Sequence, residues 1–393
     1  MKILYLANLR LPTEKAYGIQ IAKMCEAFAN LEHQVSLVYP HRKNPSINQD
    51  IFSYYSIKNN FTVKEVRSPD FYLPGFLDRI SFFIKSYLSA RALTNEALRE
   101  NADIYYTRDE LVAYLLSKQN KNIIFECHRF SNKRKLFYSH FKKINLKIIA
   151  ISDGLKEDLV KFGIKDSSVL VARDGVDLEE FNVNLSKIDS RKMFFSNFHP
   201  EAYGRKKLAV YVGHLYWWKG VNIFSEIAKY LCDKNVNYLI CVFGNMEKEV
   251  RKLQEEFRNI VHLHPSLQLM VYLGDGVPHR DVPYILKAAD CAILTGNESE
   301  TISAKYTSPL KMFEYMASGC PIVAQDLPSF REVLNNENSF LVEPSNAKAL
   351  AGKISEVFEN EEKAKERAQK AFEDVQKYTW SERARKILDF LKN

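Results

Sequence analysis

A short predicted helix beginning near Ser308 offers the first chemistry in the sequence. Ser308 is a favourable N-cap, Pro309 suits the first helical position, and Gly319 fits the left-handed residue that ends a helix. The free backbone N–H groups of Leu310 and Lys311 at the helix start carry partial positive charge. Such an open N-terminus is suited to binding a phosphate.

Glu314 adds a carboxylate to this predicted helix, with Met312 and Phe313 before it and Tyr315 and Met316 after it. Burying a carboxylate without a partner is costly, so the apolar neighbours imply that Glu314 has one. A pair of ligand hydroxyls would serve, and so would a neighbouring lysine or arginine. The residues alone leave both interpretations open.

Further candidates lie where predicted strands end. Gly213, His214 and Lys219 belong to a loop after one predicted strand, and Gly244 and Asn245 follow the next. Functional groups in open α/β sheets collect at the carboxyl ends of strands. We therefore treat these five residues as candidate ligand-binding positions.

His128 also follows a predicted strand, in the run Glu126-Cys127-His128. A single histidine is more often structural than catalytic. Its place at the carboxyl end of a strand favours contact with a ligand, so His128 is a candidate catalytic residue.

The elements that must position these residues alternate between strand and helix in two successive halves. Strands are predicted over 2–7, 34–39, 103–106, 122–125, 148–152 and 168–172, and then over 207–212, 238–243, 271–274, 290–294 and 321–325. This alternation predicts doubly wound parallel sheets. The first turn carries one glycine, Gly18, and no GxGxxG, which argues against a nicotinamide or flavin site there.

Two longer segments complete the outline. Residues 76–98 are predicted to form a helix whose apolar stripe faces the core, and the polar stretch 185–205 is predicted to link the halves. The stripe consists of Ile80, Phe83, Ile84, Tyr87 and Leu88.

Composition narrows the class of protein. The 393 residues suffice for two domains, and a formal net charge of +8 favours an anionic partner such as a nucleotide diphosphate or a lipid headgroup. The basic residues match no recognised nucleic-acid-binding motif, so no nucleic-acid partner is expected. Six scattered cysteines without a CxxC pair, no visible signal peptide and no apolar run of about 20 residues predict a cytoplasmic protein.

The most basic stretch spans residues 129–147, where lysines and arginines alternate with aromatic residues. Such a segment can lie on an anionic membrane surface. It can equally be a solvated helix whose aromatic residues pack inward. Both interpretations stay open, and the first predicts a peripheral membrane contact.

No metal or cofactor is expected. The sequence has no Asp-x-Asp pair that could bridge a metal to a diphosphate. His262, His264 and His279 lack a further ligand at suitable spacing, which favours surface or packing roles for them.

A family resemblance sharpens these hypotheses. The run SPLKMFEYMASG at 308–319, followed by PIVAQDLPSFREVL at 321–334, closely resembles the donor-site signature of retaining GT-B glycosyltransferases of the GT4-like group. The resemblance is strongest over 208–334 and weaker, but in register, over the first half.

The resemblance implies roles for individual residues on the donor side. The start of the helix at Ser308 to Lys311 would hold a nucleotide diphosphate, and Glu314 would bind the ribose hydroxyls. Lys219 matches a diphosphate-binding lysine and is, with His128, a candidate catalytic residue, whereas His214 stands where the family has an arginine. Tyr306 replaces a second glutamate, so the sugar-contacting role of that glutamate does not carry over.

The resemblance also implies roles in the first half. His128 would lie beside the donor sugar, and Gly18 would belong to a loop near the acceptor, with Tyr17 and Arg108 as further acceptor-side candidates. A glycine at a helix start is the alternative for Gly18.

The prediction is an α/β protein of GT-B architecture, with two Rossmann-like domains facing across a cleft. We expect domains over 1–190 and 206–375, and a C-terminal helix over 376–393 that crosses back to the first domain. The expected activity is metal-independent, retaining transfer of a sugar from a UDP- or GDP-linked donor to a saccharide or lipid-linked acceptor. A nucleotide-sugar epimerase and an inactive sugar- or lipid-binding relative are the alternatives.

Overall fold

The computed structural model describes residues 1–42, 44–71, 73–75, 77–119, 121–195, 206–231, 236–245, 255, 259 and 271–392. The chain divides into two compact units. The first contains Met1–Arg173 and Trp380–Asn393, and the second contains Asp174–Thr379.

The first unit is built on a seven-stranded parallel sheet of order β3-β2-β1-β4-β5-β6-β7. Its strands are β1 Lys2–Leu6, β2 Gln34–Pro40, β3 Thr62–Val66, β4 Ile104–Thr107, β5 Ile123–Cys127, β6 Lys147–Ala150 and β7 Val169–Val171. The central strand β1 is buried from Ile3 to Leu6, because helices cover both faces of a parallel sheet.

The helices of the first unit follow the predicted alternation. They are α1 Ala16–Asn30, α2 Ile51–Tyr55, α3 Leu77–Arg99, α4 Glu110–Ser117, α5 Lys135–Lys143, α6 Asp153–Phe162 and, from the end of the chain, α15 Trp380–Lys392. Helix α15 packs against α1.

The second unit holds a six-stranded parallel sheet of order β10-β9-β8-β11-β12-β13. Its strands are β8 Lys207–Val212, β9 Tyr238–Phe243, β10 Val271–Gly274, β11 Cys291–Leu294, β12 Ile322–Gln325 and β13 Phe340–Val342. Its helices are α7 Leu178–Phe181, α8 Lys187–Phe195, α9 Ile223–Leu231, α10 Val282–Ala288, α11 Leu310–Ala317, α12 Pro328–Arg331, α13 Ala347–Glu359 and α14 Glu361–Val375. Apolar cores lie on both faces of the sheet.

Both sheets reverse their strand order next to their first strand, at β1/β4 and at β8/β11. Ligands of open α/β sheets bind at such switch points, beyond the carboxyl ends of the strands. The candidate residues after β1, β4, β5, β8 and β9 lie at these ends. Two doubly wound parallel sheets confirm the predicted fold class.

The division between the units differs from the predicted domain limits at 190 and 206. Residues 174–195 belong to the second unit, where Val176 pairs with Thr379 and Arg191 donates to Ala288 O at 2.9 Å. Residues 187–195 of the predicted linker form helix α8, whereas 196–205 lie outside the described residues.

The prediction that the apolar stripe of α3 faces the core is wrong. Ser81, Lys85 and Ser89 occupy the buried side of the first half of this helix. Lys85 Nζ lies 3.1 Å from Asp70 Oδ1, and the Ser89 hydroxyl accepts a 2.7 Å hydrogen bond from Arg42. These polar contacts hold the helix with its apolar side outward.

Candidate functional site

Helix α11 begins close to the predicted position, but its first turn is arranged differently. Pro309, not Ser308, is the N-cap residue, and it has no side chain that could cap the helix. The Ser308 hydroxyl instead accepts a 2.9 Å hydrogen bond from the backbone N–H of Asp174. Gly319 adopts the predicted left-handed conformation, with φ of +66°. The start of α11 therefore lacks a side-chain cap, as a phosphate site requires.

The side-chain amine of Lys311 lies in this first turn and is buried. Only 7% of Lys311 is exposed, and among the described residues its Nζ has no hydrogen-bond partner. The Nζ atom lies 3.6 Å from the centroid of the Tyr211 ring, a cation–π contact. Burial, followed by repulsion from Lys219, holds the pKa of Lys311 well below its usual value, and Glu314 opposes this only in part. An anion bound here would supply the missing partner.

The backbone of Gly213, at the end of β8, passes directly beside this group. A Cβ atom on Gly213 would lie 3.0 Å from Lys311 Nζ, and its φ of +139° disfavours any other residue. The next strand end is equally close, since a Cβ on Gly244 would lie 2.2 Å from Gly213 O. The two glycines thus allow Lys311 and the ends of β8 and β9 to pack closely together.

Lys219 lies in the same loop, in a single 3₁₀ turn, Trp217–Lys219. Its Nζ is 5.0 Å from the Tyr216 ring centroid and 5.3 Å from that of Trp218. His214 stacks on Tyr216, with centroids 5.7 Å apart. The loop therefore brings a second cation and a histidine to the end of β8.

The remaining predicted donor-side residues surround this loop. Asn245 follows β9, its carbonyl accepts from Leu215 N at 3.0 Å, and its side-chain oxygen accepts from Gly276 N at 3.2 Å. Tyr306 is buried at the end of a π-helical turn, Ile302–Tyr306, that leads towards α11. Leu310 is the first residue of α11.

Glu314 has a partner that sequence reasoning missed. His279 Nε2 lies 2.8 Å from Glu314 Oε1, and His279 Nδ1 lies 3.4 Å from Glu180 Oε1. Burial alone would lower the pKa of His279, but hydrogen bonds to Glu180 and Glu314 outweigh it and raise the pKa to about 10. Both ring nitrogens are therefore protonated at neutral pH, and an imidazolium joins two carboxylates.

The sequence favoured a surface or packing role for His279, and the structure adds that it pairs with two carboxylates. The apolar neighbours of Glu314 signalled that a partner was needed, but the sequence pointed to a ligand, a lysine or an arginine. His262 and His264 lie outside the described residues. Within the described parts of the chain, no group of three or more His, Cys, Asp or Glu residues could hold a metal ion.

In the first unit, a buried carboxylate organises the predicted residues. Glu126 is fully buried at the end of β5, where His128 Nε2 lies 2.6 Å from its Oε1 and Arg383 Nη2 lies 3.1 Å from its Oε2. Gln20 donates to Oε1 at 2.6 Å, and the Tyr106 hydroxyl donates to Oε2. Burial would raise the pKa of Glu126, but Arg383 and His128 outweigh it and hold the pKa well below the usual value.

This network determines the state of His128. Burial and the charge of Arg108 lower the pKa of His128 to about 4, against the opposing effect of Glu126. The ring is therefore neutral near pH 7. Because the ionised Glu126 can only accept, Nε2 carries the proton and Nδ1 presents a lone pair.

Arg108 and Tyr17 join the same network through Gln20. Arg108 Nη1 donates to Gln20 Oε1 at 2.6 Å and lies 3.5 Å from the Tyr17 carbonyl. Arg108 follows β4 and Tyr17 lies in α1, after β1, so both reach the strand ends next to His128. Gly18 packs so tightly that a Cβ would lie 2.0 Å from the Tyr55 hydroxyl. Packing within the unit thus explains the glycine at this position.

Two family models match the chain, one over each half. Residues 194–374 match the model described as glycosyl transferases group 1, and residues 18–180 match that of glycosyltransferase family 4. Together they cover most of the chain.

Similar proteins carry related names. A stretch of 232 residues is 25% identical to N,N'-diacetylbacillosaminyl-diphospho-undecaprenol alpha-1,3-N-acetylgalactosaminyltransferase of Campylobacter jejuni, covering 58% of this chain and 56% of that protein. Another, of 222 residues, is 22% identical to a capsular polysaccharide biosynthesis glycosyltransferase of Staphylococcus aureus, covering 54% and 52%. The matched part thus spans about half the length of these curated relatives.

Solved structures show the same fold over the whole chain. A glycosyltransferase of Rickettsia africae matches with a TM-score of 0.74 at 18% identity, covering 100% of this chain and 97% of that one. HepE of Anabaena, solved with UDP and glucose, matches with a TM-score of 0.75 at 16% identity, covering 100% and 99%. Taken with the two family models, this fold shows that the chain belongs to the GT4-like glycosyltransferases of GT-B architecture.

Proposed function

We propose that the protein transfers a sugar from a UDP- or GDP-linked donor to a saccharide or lipid-linked acceptor, with retention at the anomeric carbon and without a metal ion. The observation that carries this proposal is the buried Nζ of Lys311, beside the start of α11 and the glycine of the β8 loop, for which the described part of the chain offers no hydrogen-bond partner. Burial without a partner disfavours the charged form of Lys311, and a bound diphosphate would stabilise that form.

The second unit would hold the leaving group. Negative charge grows on the diphosphate as its bond to the sugar breaks, and preorganised donors lower that barrier. We assign this role to Lys311 Nζ, the N–H groups of Leu310 and Lys311, and Lys219. His214 would add a hydrogen bond from the same loop. The lysines would supply the positive charge that a metal supplies elsewhere, in keeping with a sequence that has no Asp-x-Asp pair.

Glu314 would bind the ribose. His279 engages Oε1 of this carboxylate, and Oε2 would accept from the ribose hydroxyls. Glu180 holds the other side of the His279 ring, so the imidazolium fixes the orientation of Glu314. Gly244, Asn245 and Tyr306 would line the remainder of the donor site.

In the first unit, His128 would contact the donor sugar. Its Nδ1 lone pair would accept a hydrogen bond from a sugar hydroxyl, because Nε2–H is directed to Glu126. Arg108, Tyr17 and Gly18 would lie on the acceptor side.

The relatives support the substrate classes. The Campylobacter protein is named for a diphospho-undecaprenol acceptor, and HepE was solved with UDP and glucose. Among the described residues, no helix is long and apolar enough to cross a membrane. For a lipid-linked acceptor we place the protein at the inner face of the membrane, in peripheral contact through residues 129–147.

A two-step experiment tests the function. A thermal-shift panel of nucleotide diphosphates and nucleotide sugars identifies the donor, because a ligand of the folded state raises the melting temperature. The selected donor is then incubated with and without saccharide and lipid-linked acceptors. Acceptor-dependent release of nucleotide diphosphate, with an α-linked product from an α-linked donor, supports the proposal. An altered donor sugar without acceptor would indicate an epimerase, and binding without turnover an inactive relative.

A further inference from the structure

The first half of helix α3 presents large apolar residues to solvent, whereas Ser81, Lys85 and Ser89 face the protein. Phe82 is 58% exposed and Phe83 66%, and their rings contact each other edge to face, with centroids 6.1 Å apart. Apart from Leu98, the large exposed apolar residues of α3 lie in its first half and form what we call the α3 stripe: Ile80, Phe82, Phe83, Ile84, Tyr87 and Leu88.

Specific contacts on the inner side maintain this orientation. Lys85 forms an ion pair with Asp70. The Ser89 hydroxyl accepts a hydrogen bond from Arg42 and donates one to Lys85 O at 2.8 Å. Asn8 donates to the Ser86 carbonyl at 3.1 Å. Turning the stripe inward would separate Lys85, Ser86 and Ser89 from these partners. The outward stripe is therefore built into the packing. Contiguous exposed apolar surface of this kind marks an interaction site.

The distribution of charge between the two units favours an anionic partner for the α3 stripe. The first unit has 31 lysines and arginines against 19 aspartates and glutamates, a net charge of +12, whereas the second has 25 against 29, a net charge of −4. The whole excess positive charge of the protein therefore resides in the unit that carries the α3 stripe.

Basic and apolar residues also share one layer of helices. Helix α3 packs against α4, and α4 packs against α5, on the side of the sheet that carries the crossovers from β3 to β6. Helix α5 exposes Leu136 at 85%, together with Lys135, Lys142 and Lys143. Tyr138 and Phe141 of α5 are buried, so α5 contributes charge and little apolar surface.

We propose that the α3 stripe docks this protein on the surface of a bilayer that contains anionic lipid. The aromatic and aliphatic side chains of α3 enter the headgroup region, and the lysines of α5 contact lipid phosphates. A second copy of the chain would bring two units of charge +12 together, which disfavours self-association as the role of this surface. The proposal does not depend on the transfer activity, since lipid binding is measured without donor or acceptor.

Vesicle flotation tests the surface. The full chain is mixed with phosphatidylcholine vesicles with or without phosphatidylglycerol, at low and high salt. The variant Phe82→Ser/Phe83→Ser removes apolar surface from the α3 stripe, and Ile188→Ser/Met193→Ser is the matched control. Ile188 and Met193 are 59% and 58% exposed in α8 of the second unit. Because all four side chains are exposed, both variants should retain the wild-type melting temperature.

We expect the wild type and the α8 control to bind the anionic vesicles, and the α3 variant to bind at least about tenfold more weakly at both salt concentrations. The variant Lys142→Ser/Lys143→Ser should lose binding mainly at low salt. Absence of wild-type binding, or equal binding by the α3 variant, would overturn the proposal. So would a wild-type dimer that the α3 variant dissociates while lipid binding stays unchanged.

Discussion

The imidazole of His279 is hydrogen-bonded to Glu314, with Nε2 2.8 Å from Oε1. The other ring nitrogen faces Glu180 at 3.4 Å, and the two carboxylates raise the pKa of His279 to about 10 despite its burial. The carboxylate that we assign to the ribose is therefore held by a cation of the protein itself. Its orientation is set before a nucleotide arrives.

Replacing His279 should change stability in a pH-dependent way. His279→Leu leaves Glu180 and Glu314 without their shared cation and should cost about 1.5–3 kcal/mol near pH 6. Because the pKa of His279 is higher in the folded than in the unfolded state, its ion pairs stabilise the fold fully below the unfolded-state pKa of about 6.5. This stabilisation is lost as the pH rises through the folded-state pKa of about 10. The difference in melting temperature between wild type and variant should therefore shrink from pH 6 to pH 10. A constant difference would contradict the imidazolium, and Glu180→Gln, which removes one of the two carboxylates, should show the same trend more weakly.

Lys311→Met should separate stability from binding. Without nucleotide, the variant should be as stable as the wild type or more so, because an unpartnered buried amine is removed. Its affinity for the nucleotide diphosphate should fall by roughly 1.5–3 kcal/mol, about tenfold to a hundredfold. Titration calorimetry measures the affinity, and Lys287→Met, at an exposed lysine of α10, is the matched control. An equal loss of affinity in Lys311→Met and Lys287→Met would contradict the assignment of Lys311 to diphosphate binding.

Nucleotide binding should also take up protons at Lys311 at pH values between the lowered pKa of the free lysine and its pKa in the nucleotide complex. Burial and Lys219 hold the pKa of the free lysine well below its usual value, and an adjacent phosphate favours the charged form. Calorimetry in buffers of different ionisation enthalpy reports this uptake, which should disappear in Lys311→Met. Uptake that persists in the variant would assign the proton to another group.

Glu314→Gln should weaken binding only of nucleotides that have ribose hydroxyls. The loss should be about 1.5–3 kcal/mol for the ribonucleotide, as for a hydrogen bond to a charged group. For the 2′,3′-dideoxy analogue, wild type and variant should bind alike, since the hydroxyl partners are absent. Comparing the affinities of wild type and variant for both ligands isolates the contact between Glu314 and the ribose hydroxyls. A similar loss with both ligands would place Glu314 elsewhere in the site.

His128 should show no titration between pH 5 and pH 8. Burial and Arg108 lower its pKa to about 4, so the ring stays neutral across this range. NMR of the imidazole should show the Nε2–H tautomer and a pKa near 4. Glu126→Gln, which keeps the size of the side chain but removes its charge, should disturb this tautomer. A His128 pKa near 6.5 in the wild type would contradict the proposed acceptor at Nδ1.

Much of the fold follows from local pattern. The strands at the centres of both sheets are largely apolar runs, so their positions are evident before any tertiary contact is known, whereas the sequence pattern does not predict the edge strands β3 and β13. The signature from Ser308 onward likewise locates α11 and Glu314. Strand order and the division at Arg173 depend on pairings between distant segments, which no local pattern encodes.

The sequence by itself determined the two doubly wound halves, the helix start that is suited to a phosphate, and the need of Glu314 for a partner. Only the tertiary structure decided that this partner is His279, that Arg383 joins the network beneath His128, and that the apolar side of α3 faces outward. The physical reason is the same in each case. A buried charge demands compensation that any suitable group can provide, and an apolar stripe indicates which side of a helix avoids water without indicating whether protein or lipid covers it.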